Sequence, residues 1–284
     1  MAGLESTLTL ALLSEIRDFW FSHIDSEDAL ILPDQEHMMR WFVGGEELDK
    51  LCVQVSPRPI PLFARTNILT SQIRQRFAPA LTAIRASGAT TGREILEAAK
   101  PQGPLDWLSL VVLLDQLPRN CYRGDEASIA FNVFDPLARD IAAAAIERGI
   151  SDTDPQIRWF ICRRMWFYLP LMHSEDLAMH EQATDAYARL AADMESLASG
   201  SQEGGKDGGD EVRARAVRVM AGHGERAMGM AKMQVEFEKK HLDIIRQFGR
   251  YPHRNKALGR EPTAEEIEYL ANGGETFSAS QNKN

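Results

Sequence analysis

A segment near the C-terminus, Arg246–Arg260, brings cations, aromatic rings and helix breakers closer together than any other part of the chain. It reads R-Q-F-G-R-Y-P-H-R-N-K-A-L-G-R. From Lys239 to Arg260 there are seven Lys or Arg and one acid, Asp243, although the whole chain has a net charge of −9. Arginine binds carboxylate and phosphate groups through paired N–H donors, and histidine transfers protons near neutral pH. This segment is therefore the first candidate for a functional site.

Two other segments place polar residues next to a proline at the end of an apolar run. They are L-L-D-Q-L-P-R-N-C-Y-R-G at Leu113–Gly124 and Y-L-P-L-M-H-S-E at Tyr168–Glu175. Proline removes a backbone donor and interrupts a helix, so the polar residues of all three segments are expected where helices stop or start. We expect these helix ends to meet, so that their polar side chains face one another.

The first interpretation of this meeting point is a binding site for an anion. Its arginines outnumber the nearby acids, and a helix expected to begin at Ser174 would add the positive potential of its N-terminus. The ligand would be an anionic small molecule or a peptide carboxylate. The residues predicted to bind it are Asp115, Arg119, Asn120, Arg123, Arg250, Arg254, Asn255 and Arg260.

An enzymatic interpretation uses the histidines of the same segments. His173 and His253 would act as acid and base, beside Glu175 or Asp115, while the arginines hold an anionic substrate. The predicted catalytic residues are then His173, Glu175 and His253, and the enzyme would be a hydrolase or a transferase.

Two further interpretations involve no ligand pocket. In one, free carbonyl groups at helix C-termini are bound by Arg119, Asn120, Arg254 and Asn255. Asp115 and Glu175 then pair with arginines. In the other, the outer helical surface binds another protein as a scaffold does. The sequence alone leaves both open beside the binding and enzymatic interpretations.

Missing motifs narrow the classes of function. The chain has no H-E-x-x-H motif and no pair of histidines four residues apart, so no metal site is predicted. It also lacks G-x-G-x-x-G and the Walker lysine loop, so no cofactor is predicted. The absence of the G-x-S-x-G elbow disfavours a serine hydrolase. Nothing in the sequence indicates an oligomeric state.

Composition also indicates the setting of the protein. The net charge of −9 disfavours nucleic acid as a partner, and no apolar stretch approaches the roughly 20 residues that cross a bilayer. The three cysteines, Cys52, Cys121 and Cys162, are far apart and odd in number. This usage is typical of a reducing compartment, so a cytoplasmic protein is expected.

Apolar residues recur at helical spacing along the chain, and no strand alternation is present. The pattern predicts an all-α protein of about ten helices around two buried ones. The first buried helix is expected at Leu105–Gln116, ended by Leu117-Pro118. The second is expected to follow Asp154-Pro155 and to end at Leu169-Pro170.

Caps and glycines predict where other helices begin and end. Asp135, followed by a proline, and Ser174 are each expected to cap a helix. A long helix is expected from about Glu211, interrupted near Gly222 and ended by Gly249 in the left-handed conformation.

These elements are expected to share one core and thus to form a single domain, residues 1–284, with the core at about 6–272. The glycine-rich segment 199–209 is then a flexible internal loop, because the amphipathic helices on both sides of it need the same core. Residues 273–284 are expected to form a polar tail.

In order and spacing, the three polar segments resemble a microbial family known only as domain of unknown function 924 (DUF 924). The third segment extends back to His241 as H-L-D-I-I-R-Q-F-G-R. D-F-W-F at Asp18–Phe21 and R-F at Arg76-Phe77 are also similar, so the resemblance covers most of residues 15–272. It implies an all-α fold similar to tetratricopeptide-like helical arrays, although no repeat of roughly 34 residues is visible. It implies no established activity.

Overall fold

The computed structural model describes residues 2–42, 62–200 and 211–277, and all regular structure in these ranges is helical. The predicted all-α fold is confirmed, and the likeness to a tetratricopeptide array stays a prediction. The longer helices are Leu10–Trp20, Gln35–Phe42, Leu62–Ser87, Gly92–Ala99, Pro104–Val111, Asp135–Glu147, Leu177–Ala198, Glu211–Gly222, Gly224–Phe248 and Ala264–Ala271. Shorter helical pieces are Ala2–Glu5, Glu27–Ile31, Leu117–Cys121, Gly124–Glu126, Ala127–Ile129, Ile161–Arg164, Met165–Phe167, Leu169–Met172 and Pro252–Arg254.

One contiguous cluster of buried apolar side chains forms the main core and extends along the chain from Leu4 to Ala231. At its centre Trp166 lies edge-on to both Trp20 and Trp41, with ring centroids 5.2 Å apart in each pair. Segments from the beginning, middle and end of the described chain contribute to this cluster. They therefore fold together as one domain.

The helix predicted at Leu105–Gln116 is longer than expected and contains a π-helical turn. Pro104–Val111 continues through the π-helical turn Val112–Gln116 into Leu117–Cys121, so the prediction that Pro118 ends this helix is wrong. In a regular α-helix the proline ring would clash with the carbonyl group four residues earlier. The wider turn lets Pro118 enter the first turn of the next helical piece.

The same arrangement precedes Pro136. A second π-helical turn, Ala130–Phe134, leads directly into the helix Asp135–Glu147. The prediction that Asp135 caps this helix is wrong, because Phe134 occupies the cap position and no side chain caps the helix. The carboxylate of Asp135 is therefore available to side chains from other segments.

The second predicted buried helix, after Asp154-Pro155, does not form as one element. Only short pieces form, from Ile161 to Met172, and Pro170 lies at the start of the last piece instead of ending a helix. Every residue from 165 to 172 is buried. Because such short pieces are not stable alone, tertiary packing holds this segment in place.

The cap of the helix Leu177–Ala198 is Asp176, and the prediction of Ser174 as the cap is wrong. The Asp176 side chain accepts a hydrogen bond from Ala178 N–H at 2.9 Å, whereas Ser174 Oγ accepts from Asp176 N–H at 3.1 Å. The N-terminus of this helix therefore lies two residues beyond the place where it was expected to add positive potential.

The two long helices Leu177–Ala198 and Gly224–Phe248 pack along each other. The predicted interruption near Gly222 is present, between Glu211–Gly222 and Gly224–Phe248. Gly249 ends the second long helix at φ 68°, as predicted, because a residue without Cβ adopts the left-handed conformation at little cost. This glycine sets the direction of the following turn, which carries His253 and Arg254.

Parts of the predicted loop and tail lie outside the described residues. This applies to residues 201–209 of the loop and 278–284 of the tail, and also to Cys52. The first residues of the predicted tail lie against the protein, where the Phe277 ring stacks on His241 with centroids 3.5 Å apart. Across the described ranges, no helix combines the length and apolar character needed to cross a membrane.

Leu113→Ala and Leu114→Ala are each expected to lower the free energy of unfolding by about 2–5 kcal/mol, because both side chains are fully buried in the core. The control is Leu177→Ala, at a leucine that is 43% exposed, and it should change stability far less. Denaturant unfolding of the three variants measures the effect. Two near-neutral results at the buried positions would contradict the placement of this helix in the core.

Candidate functional site

Four segments meet beside the main core, and in each one the polar side chains lie close to a proline. Pro118, Pro136, Pro170 and Pro252 each occupy the first turn of a helix or of a 3-10 turn. The side chains brought together in this way, called the central cluster below, are Asp115, Arg119, Asp135, His173, His253 and Arg254.

Asp115 and His173 form a hydrogen-bonded pair in the cluster. Asp115 Oδ1 accepts from His173 Nδ1 at 2.7 Å, and Asp115 Oδ2 accepts from the Gln116 side-chain amide at 2.5 Å. Burial raises the pKa of Asp115, but His173 and the Arg119 guanidinium outweigh burial and hold this pKa at about 2. The carboxylate is therefore ionised at neutral pH and serves as an acceptor.

Asp135 lies between two arginines. Its Oδ1 accepts from Arg119 Nη1 at 2.7 Å, and its Oδ2 lies 3.5 Å from Arg254 Nη1. Arg119 also approaches Asp115, with Nη2 3.4 Å from Oδ1, but this contact lacks the geometry of a hydrogen bond. One guanidinium therefore links both carboxylates, and the other approaches only Asp135, at a longer distance.

Arg254 is held in place mainly by aromatic rings. Its guanidinium carbon lies 4.6 Å from the centroid of Phe131 and 4.5 Å from that of Tyr251. Burial lowers the pKa of Arg254, while Asp135 opposes this effect and Arg119 adds to it. A guanidinium that stacks on rings through its faces keeps its N–H edge available to a ligand.

Three nitrogen atoms of the cluster are buried and form no hydrogen bond within the described residues. They are Arg119 Nη2, Arg254 Nε and His253 Nδ1. Burial lowers the pKa of His253 to about 3, and the neighbouring arginines add to this effect, so the ring is neutral at pH 7. An unsatisfied buried polar group costs about 1–3 kcal/mol, and such groups are rare in native proteins. Here the protein therefore leaves hydrogen-bonding capacity unused.

Two of the predicted ligand-binding arginines form ion pairs outside the central cluster. Arg260 binds Glu175 through two hydrogen bonds of 2.6 and 3.0 Å, and Arg250 binds Glu266 through two of 2.6 and 2.8 Å. Asn255 Nδ2 donates to Glu266 Oε2 at 3.1 Å. The pairing of Glu175 with an arginine agrees with the structural interpretation, whereas Asn255 binds a carboxylate and not a carbonyl group. The predicted catalytic Glu175 is therefore bound to Arg260, and His173 pairs with Asp115, which was the other carboxylate predicted beside the histidines.

Asn120 and Arg123 lie at the end of the helix Leu117–Cys121. Asn120 Nδ2 donates to the Gln116 carbonyl at 2.9 Å. Arg123 is exposed, and it donates to Asn120 Oδ1 at 3.2 Å and to the Arg119 carbonyl at 3.3 Å. Both side chains therefore bind at the helix end and outside the central cluster.

Sequence reasoning missed Asp135 and Phe131 as parts of the site. The sequence indicates Asp135 only as a helix cap, but it follows an apolar run and precedes a proline, as the polar residues of the other segments do. That shared pattern is the signal that could have identified it. Phe131 has no such signal, because its position over Arg254 depends on the register of the π-helical turn Ala130–Phe134.

A second buried ionic network lies away from the central cluster. Arg164, which is 1% exposed, binds Asp193 at 2.6 Å, Asp152 at 3.2 Å and the Tyr168 hydroxyl at 2.7 Å. The network ties the turn that contains Asp152 to the helix Leu177–Ala198. Because its partners bind one another, it has the properties of a structural contact.

Outside the central cluster, the described chain contains a surface groove but no group of side chains suited to a metal ion. Within residues 2–42, 62–200 and 211–277, no group of three or more His, Cys, Asp or Glu side chains is arranged to hold a metal ion. A surface groove of about 930 Å³ lies between the segment around Asp28 and the helix Glu211–Gly222, and none of its residues belongs to the central cluster.

Arg260→Leu is expected to lower the free energy of unfolding by about 1–3 kcal/mol, because it removes two charge-assisted hydrogen bonds from Glu175. Arg254→Leu is expected to cost less or to stabilise the protein, because Arg254 has one long ion pair and an unpartnered Nε. Urea unfolding of the two variants compares them. A larger loss in Arg254→Leu than in Arg260→Leu would show that Arg254 is a structural residue.

His253→Gln is expected to reduce the loss of stability on acidification between about pH 6.5 and pH 3. The folded pKa of about 3 lies below the ordinary value of 6.5, so the unfolded chain takes up the proton first. Stability therefore falls as the pH drops through this range, and glutamine removes that contribution. Denaturant unfolding at several pH values measures it, with His223→Gln, at an exposed histidine, as the control. Equal pH dependence in the parent and in His253→Gln would contradict the burial of His253.

Comparisons with known proteins agree with the sequence resemblance. A family described as "Bacterial protein of unknown function (DUF924)" matches residues 16–274. The solved structure of a protein of unknown function, ATU0120 from Agrobacterium tumefaciens, is similar with a TM-score of 0.54 and 28% sequence identity, over 93% of this chain and 98% of that chain. No curated protein matches. With the polar segments, the helical fold and this match in agreement, the chain belongs to the DUF924 family of bacterial proteins.

Proposed function

We propose that the protein binds a small carboxylate-bearing molecule, or the carboxylate end of a peptide, at Arg119, Arg254 and His253. The observation that carries the proposal is the set of three buried nitrogen atoms without hydrogen-bond partners. A carboxylate offers two oxygen atoms that each accept more than one N–H bond. Such a ligand would accept hydrogen bonds from the two guanidinium groups and from His253 in its Nδ1–H form. Binding would then remove the unfavourable free energy of leaving these buried donors unpaired.

The three unpaired nitrogen atoms are buried, but other atoms of the central cluster are exposed to solvent, and a small ligand would enter from that side. The side chain of Arg119 is 21% exposed, that of His173 is 17% exposed and that of Asp135 is 12% exposed. Asp115, at 1%, lies beneath them. A ligand at this edge would form charge-assisted hydrogen bonds in a partly desolvated environment, where such bonds are stronger than in water.

The charge of the cluster favours a monoanion over a dianion. Arg119 and Arg254 carry two positive charges, and the carboxylates of Asp115 and Asp135 carry two negative ones. His253 is neutral because burial lowers its pKa to about 3. A carboxylate therefore adds one unbalanced charge, whereas a fully ionised phosphate adds two, and unbalanced charge is costly in a partly buried site.

The structural interpretation accounts for the outer ion pairs but not for the central cluster. Arg250 and Arg260 each have a carboxylate partner, and the polar atoms of those pairs are satisfied. Arg254 has no comparable partner, and its position depends on two aromatic rings. A residue that is held in place by stacking and keeps a free donor is better explained by a ligand than by a role in helix pairing.

The proposal includes a reducing, cytoplasmic setting. It is supported by the two cysteines of the described residues, Cys121 and Cys162, which are buried free thiols.

Sodium acetate and N-acetylglycine are expected to raise the Tm of the parent chain at constant ionic strength, because a ligand of the native state stabilises it by mass action. At about 100 times Kd, the gain is about 2.7 kcal/mol. Arg254→Leu and Arg119→Leu should abolish the shift. The matched control is Arg250→Leu, which breaks the pair with Glu266 and leaves the cluster intact, so it should retain the shift.

The ligand control is N-acetylglycinamide, which has the same shape and no carboxylate. A series in sodium chloride separates specific binding from general effects of salt. An equal shift with the amide, or an undiminished shift in Arg254→Leu, would contradict carboxylate binding at the cluster.

A further inference from the structure

We propose that His173 is the general base in the hydrolysis of an acylated molecule that carries a carboxylate, a function that rests on the carboxylate binding proposed above. The substrate class is an N-acyl amino acid or a short peptide whose carboxylate lies close to the scissile acyl bond. Asp115 acts as a positioning residue for His173, and Arg119 and Arg254 hold the substrate.

His173 differs from the fully buried His180, whose contacts are those of a structural histidine. His180 Nδ1 binds Glu238 Oε1 at 2.9 Å, and His180 Nε2 binds the Ser174 carbonyl at 2.9 Å. His173 binds Asp115 through Nδ1, but its Nε2 has no hydrogen-bond partner among the described residues. The His173 side chain is 17% exposed, whereas that of His180 is 0% exposed. Both ring nitrogens of His180 therefore have hydrogen-bond partners in the core. His173 is partly exposed, and its Nε2 has no such partner.

Asp115 sets the tautomer of His173. Because the pKa of Asp115 is about 2, its carboxylate is ionised and accepts the Nδ1–H bond. Burial and Arg119 lower the pKa of His173 against the opposing effect of Asp115, so the ring is neutral at pH 7. Its Nε2 lone pair is then free to accept a proton. The other titratable groups that face this ring are Asp135, His241 and His253.

One oxygen atom links the proposed base to the ligand-binding arginine. Asp115 Oδ1 lies 2.7 Å from His173 Nδ1 and 3.4 Å from Arg119 Nη2. A carboxylate bound to Arg119 would therefore lie near the imidazole ring, and the proposal requires the acyl group of the same molecule to reach Nε2. Asp115 belongs to the π-helical turn Val112–Gln116, and single π-helical turns inside helices are frequent at functional sites.

The proposed reaction consumes only water. His173 Nε2 takes a proton from a water molecule while the water oxygen forms a bond to the acyl carbon. The acyl oxygen becomes negative as this bond forms. The bond between the acyl carbon and nitrogen then breaks, and the proton passes from Nε2 to the leaving nitrogen. The products are a carboxylic acid and an amine that keeps the substrate carboxylate.

The test uses N-acetylglycine, N-acetylleucine and N-acetylphenylalanine, together with their three carboxamides, which lack the carboxylate. We expect the parent chain to release acetate and a free amine from the acids and not from the carboxamides, with one ¹⁸O atom entering acetate in ¹⁸O-labelled water. His173→Gln should lower kcat by about 10²–10⁴-fold and retain the Tm shift with N-acetylglycine. His223→Gln, at an exposed histidine outside the cluster, is the control and should leave the rate unchanged.

Two pH profiles separate catalysis from a structural role. In the parent, the rate should rise with pH through a single ionisation below pH 6.5 and then level off, because the base must be neutral. Asp115→Asn should lower kcat more than it changes KM and should move the midpoint of this rise. A rate that falls as the pH rises toward 7, as it would if the group had to be protonated, would overturn the assignment of His173, even if His173→Gln did not fold.

The Tm shift and the cleavage assay together distinguish a failure of the proposed catalysis from a failure of carboxylate binding. If N-acetylglycine raises the Tm of the parent and none of the acids is cleaved, the role of His173 is overturned and carboxylate binding stands. If neither effect occurs, both proposals are overturned. Undiminished cleavage by a folded His173→Gln variant also overturns the role of His173.

Discussion

The carboxylate of Asp135 connects parts of the chain that are far apart in sequence, and the arrangement of the central cluster depends on it. It binds Arg119 and lies close to Arg254, which is 119 residues away. The two guanidinium groups would repel each other without a carboxylate between them, and partial burial strengthens that repulsion. Asp135 therefore allows two arginines to share one small site. Asp135 does not use all the N–H donors of the two arginines. The donors without partners, Arg119 Nη2 and Arg254 Nε, make the site suitable for a further anion.

Prolines next to the charged residues help to bring the side chains of the central cluster together. In a regular α-helix Pro118 and Pro136 would disrupt the hydrogen-bond ladder, but a π-helical turn before each of them allows the chain to remain helical. The wider turns direct Asp115 and Asp135 toward the same site. Pro252 likewise begins the 3-10 turn that contains Arg254. The local cost of interrupting the helices is offset by the core, in which the residues around Pro118 are buried.

Helical periodicity predicts the all-α fold, the buried character of Leu105–Gln116 and the stop at Gly249, because these features depend on residues close together in sequence. The three polar segments also lie near one another, as expected from their positions beside prolines. The pairing of charges could not be predicted in this way. Whether Arg250 binds Glu266 or a ligand depends on which helix ends meet, and that is a property of tertiary packing. The π-helical turns have the same apolar pattern as α-helix, so periodicity did not reveal that Asp135 belongs to the site.

The ¹H–¹⁵N NMR signal of Arg254 Nε–H most directly tests the claim that the free donors of the cluster bind a carboxylate. During titration with N-acetylglycine at constant ionic strength, we expect this signal to shift in a saturable way and its exchange with water to slow, because Nε–H gains an acceptor. Arg250 Nε–H already donates to Glu266 at 2.6 Å and should not move, so it serves as an internal reference. An Arg254 signal that stays unchanged, or that moves only in parallel with the Arg250 signal, would contradict the account.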